Sequence, residues 1–349
     1  MIMDKNIYKL VRKNILHLTP YSTARDEYKE QTGIFLDANE NPYDNGYNRY
    51  PNYIVKKNLK HKIGKIRGIN PETIFVGNGS DEAIDLCYRI FCEPRIDNVV
   101  AISPSYGMYK VAAQINDVDF REVQLNEDFS LPVERLLSVV DTNTKLMFLC
   151  SPNNPTANSF SRNEMIDLIK KFKGIVVVDE AYIDFADQCT LLPELDTYQN
   201  LIILQTFSKA WGLAGLRIGI ALASQEIIKL FVQVKYPYNI SVPALNIALN
   251  RLEGDISVYV AEIKSERKRV ISELEKCECI KKVFPSEANF VLVRTYFPQG
   301  LYGELLKNKI IVRNRSKVLG CEGTLRITIG TPSENDLMLE TVKKYNKNE

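Results

Sequence analysis

The chain has 349 residues, of which 45% are hydrophobic and 25% are charged, values that are ordinary for soluble globular proteins. This composition excludes disordered and fibrous proteins, and the length favours one large domain with a smaller one. The net charge is only +2, so we expect neither a nucleic acid nor a membrane as partner.

The cysteines and histidines make a metal centre or a disulfide framework improbable. The seven cysteines include no C-x-x-C pair, and Cys277 and Cys279 have poor zinc-ligand spacing. His17 and His61 are the only histidines and lie far from each other in the chain. Residues 1–14 lack the apolar core of a secretory signal, and no run approaches the ~18 apolar residues of a membrane span. We therefore expect no metal and a reducing, cytoplasmic location.

The first 35 residues are interpreted as an N-terminal arm with a turn at Thr19-Pro20-Tyr21. An irregular loop, Leu36 to Pro42, follows. Helices then alternate with short apolar strands. The predicted helices are 54–66, 81–91, 106–115 and 162–172, and the predicted strands are 73–76, 98–102, 145–150, 174–178 and 201–204. This alternation predicts that residues 36–236 form an α/β domain with a mostly parallel central sheet covered by helices on both faces.

The pattern changes after residue 236. Tyr236-Pro237-Tyr238 is a candidate linker, and a long charged helix is predicted for residues 256–277. Apolar strands are predicted at 290–294 and 324–329. Residues 237–349 are therefore expected to form a small α+β domain.

Two chemically useful residues follow predicted strands. Asp179 ends the strand 174–178, and Lys209 comes shortly after the strand 201–204. Open parallel sheets bind ligands at the carboxyl ends of their strands, so both side chains are expected at one edge. A buried carboxylate needs a cationic partner, and a desolvated lysine becomes a nucleophilic amine. Taken singly, Asp179 is better explained as a helix cap or a loop carboxylate, and Lys209 as an exposed lysine.

Two further loops reach the same predicted edge. Gly77-Asn78-Gly79-Ser80-Asp81 joins a strand to a helix, and free N–H groups at a helix start suit a phosphate. A dinucleotide fingerprint would require a third glycine where Glu82 stands, and no P-loop lysine follows. Ser151-Pro152-Asn153-Asn154-Pro155 forms a rigid loop that carries amide side chains. An amine, an acid, an amide and a phosphate cradle together are what pyridoxal phosphate requires.

These residues resemble the fold-type I, pyridoxal-phosphate-dependent aminotransferases of class II. Ser208-Lys209-Ala210 followed by Gly212 to Gly219 is similar to the Schiff-base segment of that family, and Asp179 to Tyr182 and Ser151 to Pro155 match its other signatures. Further segments resemble the histidinol-phosphate aminotransferases in particular. They are Leu18 to Tyr21, Leu36 to Pro42, Arg49 to Pro51, Pro104 to Tyr109, Phe284 to Phe290 and Leu325 to Gly330.

The resemblance implies a role for each matched residue. Lys209 would hold pyridoxal 5′-phosphate and move the substrate proton, Asp179 would keep the ring nitrogen protonated, and Asn154 and Tyr182 would contact the ring oxygen. Tyr106 would stack on the ring. The cofactor phosphate would be bound by Gly79, Ser80, Asp81, Ser208, Arg217 and, from the partner subunit of a homodimer, Tyr50. The substrates would be bound by Tyr21, Asn154, Arg313 and Arg326.

The implied reaction is the reversible transfer of an amino group between histidinol phosphate and 2-oxoglutarate in histidine biosynthesis. An aromatic amino-acid aminotransferase or a threonine-phosphate decarboxylase is the alternative within the same fold. Ala157 departs from the glycine that the family usually has there, and Thr206 lies near the phosphate residues without an assigned role. Arg315 competes with Arg313 as the second substrate arginine.

Overall fold

The computed structural model describes residues 7–28, 30 and 32–345. The α-helices of this part of the chain are α1 (Lys13–Leu16), α2 (Ala24–Glu27), α3 (Tyr53–Arg67), α4 (Ser80–Phe91), α5 (Met108–Ile115), α6 (Val133–Ser138), α7 (Arg162–Lys171), α8 (Gln225–Val234), α9 (Val242–Arg251), α10 (Ser257–Leu274), α11 (Pro298–Lys307) and α12 (Pro332–Lys344). No helix of the described residues is long and apolar enough to cross a membrane.

The strands form two sheets. Their bounds are β1 (Ile74–Asn78), β2 (Asn98–Ser103), β3 (Asp119–Gln124), β4 (Thr144–Cys150), β5 (Ile175–Asp179), β6 (Leu201–Thr206), β7 (Ile218–Ala223), β8 (Ile280–Val283), β9 (Phe290–Thr295), β10 (Arg313–Asn314) and β11 (Thr324–Thr328). The large sheet has the order β1-β7-β6-β5-β4-β2-β3, and the small sheet has the order β10-β11-β9-β8.

The large sheet is parallel except for β7, which pairs antiparallel with both β1 and β6. Every residue of β5 is buried, as expected for a parallel strand that is covered on both faces. Val176 and Val178 belong to the core on one face, and Ile175 and Val177 belong to the core on the other. The predicted α/β fold with a mostly parallel sheet is therefore confirmed.

The small sheet is antiparallel throughout. Helices α10, α11 and α12 pack on it through a core of their own, which includes Val270, Leu301 and Leu339. Helix α9 packs on α3 instead, and its Leu245 and Ala248 belong to a core of the large sheet. The proposed limits of arm, large domain and small domain at residues 35 and 236 stay predictions.

Two differences from the predicted elements bear on the site. The helix predicted for residues 106–115 begins at Met108, since Tyr106 and Gly107 lie in the loop after β2. The strand β7 was not predicted, although it lies inside the matched segment and is fully buried. Because β7 is antiparallel to β1 and β6, it begins at the edge where they end. The residues before Ile218 therefore lie at that edge.

Candidate active site

The acid, the amine and the amide that were predicted to form a site lie at the carboxyl-terminal edge of the large sheet. Strand β5 lies between β4 and β6, and Asp179 is the register partner of both Cys150 and Leu204. The loop with Asn154 starts directly after β4, and Lys209 follows the end of β6. Three loops from adjacent strands therefore open at the same place.

Asp179 is a buried carboxylate whose hydrogen-bond partners among the described residues are both uncharged. Its side chain is only 3% exposed. Oδ2 accepts a hydrogen bond from the Tyr109 hydroxyl at 2.8 Å, and Oδ1 accepts one from the Ala181 backbone N–H at 3.0 Å. Burial raises the pKa of Asp179 to about 6, against the opposite effect of these two donors. Folding removes the water that would solvate this carboxylate, and a bound cation would stabilise its negative charge instead.

Lys209 lies beside the same group of residues. Burial lowers the pKa of its amine, the positive charge of Arg326 lowers it further, and the Asp179 carboxylate opposes both effects. Nζ lies 5.7 Å from the centroid of the Tyr182 ring. A lowered pKa increases the fraction of neutral amine, which is the nucleophilic form.

An anion cradle, defined as Gly79, Ser80, Asp81, Ser208 and Arg217, lies at the start of α4. No side chain caps this helix, so its first N–H groups face outward without an intrahelical partner. The Arg217 guanidinium lies 3.3 Å from an Asp81 carboxylate oxygen. A Cβ on Gly79 would come within 2.6 Å of the same guanidinium. The cradle thus combines free helix N–H groups with a half-exposed guanidinium, which is the donor set of a phosphate site.

Gly219 and Thr206 explain how the cradle keeps its shape. A Cβ on Gly219 would lie 2.1 Å from the Ser80 nitrogen, so β7 can pass under the start of α4 only with glycine there. The Thr206 hydroxyl accepts a hydrogen bond from the Ser208 N–H at 3.1 Å and shapes the turn before Lys209. These contacts supply the role of Thr206 that the sequence left unassigned.

Asn154, Tyr182 and Arg326 form a hydrogen-bonded group that joins the loops after β4 and β5 to the small sheet. Arg326 Nη1 donates to Asn154 Oδ1 at 2.5 Å, and Asn154 Nδ2 donates to the Tyr182 hydroxyl at 3.4 Å. The Arg326 guanidinium lies over the Phe290 ring, 5.2 Å from its centroid. This arrangement holds a guanidinium beside the tyrosine that Lys209 approaches.

Arg313 and Arg315 lie on the same face of the small sheet as Arg326. Arg313 is the register partner of Arg326, and the Arg315 N–H continues the ladder to the Thr324 carbonyl at 2.9 Å. Arg313 is exposed, whereas Arg315 is half-buried and its Nε has no hydrogen-bond partner within the described ranges. Burial and the neighbouring Arg326 and Arg313 lower the pKa of Arg315. The face carries three positive charges and is suited to acidic groups.

Tyr106, Tyr50 and Tyr21 differ in how closely the single chain brings them to the site. The Tyr106 hydroxyl donates to Asp81 Oδ1 at 3.0 Å. Tyr50 stacks on Tyr238 with ring centroids 4.2 Å apart and lines, together with Arg217, a cavity of about 990 Å³. The Tyr21 side chain is 76% exposed. The predicted roles of Tyr50 across a dimer and of Tyr21 toward the substrate stay predictions.

Ala157 adopts a backbone conformation that explains why glycine is usual at its position. Its φ is +69° and its side chain is completely buried. A left-handed conformation costs a non-glycine residue roughly 1–2 kcal/mol. Its carbonyl nonetheless accepts a hydrogen bond from the Glu287 N–H at 2.8 Å, which links the Asn154 loop to the segment before β9.

Sequence reasoning missed two residues that contact the site. Tyr109 donates to Asp179, and Phe290 lies under Arg326. Tyr109 belongs to a motif that was recognised, but only its neighbour Tyr106 was assigned a role. A tyrosine in the first turn of a predominantly apolar helix was the available signal, because a buried hydroxyl requires a partner.

The chain is similar to known aminotransferases over almost its whole length. The family "Aminotransferase class I and II" matches residues 29–342. A histidinol-phosphate aminotransferase of Parabacteroides distasonis is 50% identical over 341 residues, which cover 97% of this chain and 99% of the relative.

Solved structures agree with this similarity. The histidinol-phosphate aminotransferase of Clostridium acetobutylicum has a TM-score of 0.77 and 28% identity, over 84% of this chain and 90% of its own. An L-threonine-O-3-phosphate decarboxylase of Porphyromonas gingivalis has a TM-score of 0.70 at 22% identity, over 82% of this chain and 88% of its own, and shares the fold alone. The resemblance inferred from the motifs is therefore confirmed. The chain belongs to the class I and II aminotransferase family, within its histidinol-phosphate aminotransferase branch.

Proposed function

We propose that this aminotransferase uses pyridoxal 5′-phosphate to transfer an amino group between L-histidinol phosphate and 2-oxoglutarate, with imidazole acetol phosphate and glutamate as products. The observation that carries the proposal is the meeting of the desolvated acid Asp179, the amine Lys209 and the anion cradle at one sheet edge. The names of relatives that match this chain from end to end support the choice of substrate.

The donor set at the sheet edge fits the cofactor group by group. Asp179 is buried with uncharged donors only, which suits a protonated ring nitrogen. The start of α4 with Arg217 suits the phosphate, and the amine of Lys209 suits the aldehyde. The Tyr182 hydroxyl and the Asn154 amide suit the ring oxygen. When bound, the cofactor supplies an electron sink for the bonds around the substrate's α-carbon.

The residues of this chain would then position the substrate and move one proton. Lys209 Nζ, whose pKa burial lowers, would take the proton from the substrate's α-carbon and pass it to C4′ of the cofactor, and the reverse half-reaction would move it back. Asp179 holds a proton at the ring nitrogen. Asn154 and Tyr182 orient the ring, and Tyr106 covers it from the loop before α5.

The arginines on the small sheet would recognise both substrates. Histidinol phosphate carries a phosphate and glutamate carries two carboxylates, and a guanidinium binds either group through two parallel hydrogen bonds. Arg326 is proposed as the shared anchor, together with Arg313 or its rival Arg315, and Tyr21 from the arm. This excess of positive charge favours a phosphorylated substrate over an aromatic amino acid.

A homodimer is proposed as the working assembly, with Tyr50 completing the anion cradle of its partner. The segment that carries Tyr50 is rich in exposed aromatic and aliphatic side chains, which suits an interface. They include Ile34, Leu36, Tyr43, Tyr47 and Tyr53. All seven cysteines are free, which supports the proposed cytoplasmic location.

A substrate-pair assay tests the proposal. Purified protein loaded with pyridoxal phosphate should convert histidinol phosphate and 2-oxoglutarate far faster than it converts phenylalanine. A reversed ratio would assign the aromatic alternative, and release of carbon dioxide from threonine phosphate would assign the decarboxylase. The Lys209→Ala variant tests the cofactor separately, because it should lose the absorbance band of the bound cofactor.

A further inference from the structure

We infer that Tyr109 is a positioning residue of the proposed reaction, because its hydroxyl holds the Asp179 carboxylate in place and ionised for the cofactor's ring nitrogen. The inference rests on the proposed function and extends it to a residue that does not itself reach the substrate. The hydroxyl donates to Asp179 Oδ2 at 2.8 Å across 70 residues of sequence.

The packing around Tyr109 leaves its hydroxyl little freedom. The side chain is 1% exposed, and its ring stacks on Phe148 with centroids 4.7 Å apart and an interplanar angle of 15°. The edge of the Tyr106 ring meets it at 5.6 Å and 84°. Tyr88 stacks on Phe148 as well and donates its own hydroxyl to the Tyr109 carbonyl at 2.7 Å. The Phe148 and Tyr106 rings that contact the Tyr109 ring therefore determine where its hydroxyl points.

The direction of the hydrogen bond determines its electrostatic effect. Burial raises the pKa of Tyr109 well above its usual range, so the hydroxyl stays protonated and acts as the hydrogen-bond donor. A hydrogen bond donated to a carboxylate stabilises the ionised form, and at Asp179 it opposes the effect of burial. With one donor on each oxygen, the carboxylate keeps free lone pairs for a further N–H. Tyr109 thus favours the ionised acid that a protonated ring nitrogen requires.

The other groups that face Asp179 come from four neighbouring segments and from the loop after β5 itself. The carboxylate of Asp81 raises the pKa of Asp179, and the amine of Lys209 lowers it. Tyr106, Tyr182 and Cys150 have raised pKa values themselves and stay protonated near neutral pH. The Tyr109 hydroxyl also interacts with Cys150, but that thiol stays protonated, and the charges of Asp81 and Lys209 remain when the hydroxyl is removed. A shift in that variant therefore reports on the hydrogen bond from Tyr109 to Asp179.

The experiment compares Tyr109→Phe with Tyr88→Phe and with the unmodified protein. The dissociation constant of pyridoxal phosphate is measured in the full chain across pH, and the pH at which the affinity begins to fall on acidification is determined. A hydrogen bond to a charged group is worth about one to two pKa units, so Tyr109→Phe should move this break upward by about one to two pH units. Tyr88→Phe removes a comparable buried hydroxyl that does not contact Asp179, and its break should not move.

A double variant makes the result specific to the pair. In an Asp179→Asn background, Tyr109→Phe should cause no further shift, because the titrating carboxylate is gone. The inference is overturned if the break is the same in Tyr109→Phe and the unmodified protein, or if both tyrosine variants shift alike. In either case normal cofactor uptake by the unmodified protein leaves the proposed function standing, whereas no uptake at any pH overturns both.

Discussion

Replacement of Asp179 by asparagine is expected to stabilise the cofactor-free protein at neutral pH, although the residue is central to the proposed activity. Burial raises the pKa of Asp179 from 3.8 to about 6. A difference of about two pKa units corresponds to about 3 kcal/mol in the free energy of unfolding. Asparagine has nearly the same shape and can still accept the Ala181 N–H, so this cost is removed without a cavity.

The pH dependence gives the prediction its sign. The folded protein holds the Asp179 proton more tightly than the unfolded chain does. The free energy of unfolding therefore falls as the pH rises from about 4 to about 6, and it stays low above that window. Asparagine carries no titrating proton, so the advantage of the variant should be full above about pH 6 and should vanish near pH 4.

Urea unfolding of the apoprotein at about pH 4 and about pH 8 measures this difference. Asp196→Asn is the matched control, because Asp196 is an exposed carboxylate. We expect Asp179→Asn to be more stable at the higher pH by up to about 3 kcal/mol and to bind pyridoxal phosphate more weakly. Equal or lower stability of Asp179→Asn at the higher pH would refute the inference that an ionised Asp179 without a cation lowers the free energy of unfolding.

The remaining predictions concern the arginines and the cradle. Arg326→Gln should raise KM for both acidic substrates about tenfold or more, since each loses a charged hydrogen bond, and an effect on one substrate alone would contradict a shared site. Arg313→Gln should raise KM for histidinol phosphate; if only Arg315→Gln does so, Arg315 is the second substrate arginine. Gly219→Ala should lower the free energy of unfolding by about 1–3 kcal/mol and weaken cofactor binding, because its Cβ meets backbone. Gly303→Ala in α11, where the Cβ meets nothing, should stabilise by about 0.5–1 kcal/mol, and similar results for both glycines would exclude the clash.

Local patterns were sufficient for most of the large sheet. The apolar run that became β5 and the amphipathic segment that became α3 are recognisable from hydrophobicity alone. The rule that parallel strands present their carboxyl ends at one edge then placed Asp179, Lys209 and Asn154 near one another. Strand β7 was not predicted. Its five buried apolar residues and one glycine also carry no signal for its antiparallel direction.

The sequence by itself determined the fold class, the family and the residues at the ends of the strands, because each is written in contiguous segments of the chain. The tertiary structure alone decided which side chains meet across the molecule: the Tyr109 hydroxyl on Asp179, and Arg326 on Asn154 from 172 residues away. It also decided that Arg315 is half-buried while Arg313 is exposed. Such contacts depend on how two sheets and their helices pack. Hydrophobic periodicity indicates which face of a helix or strand is buried, but not which residues that face contacts.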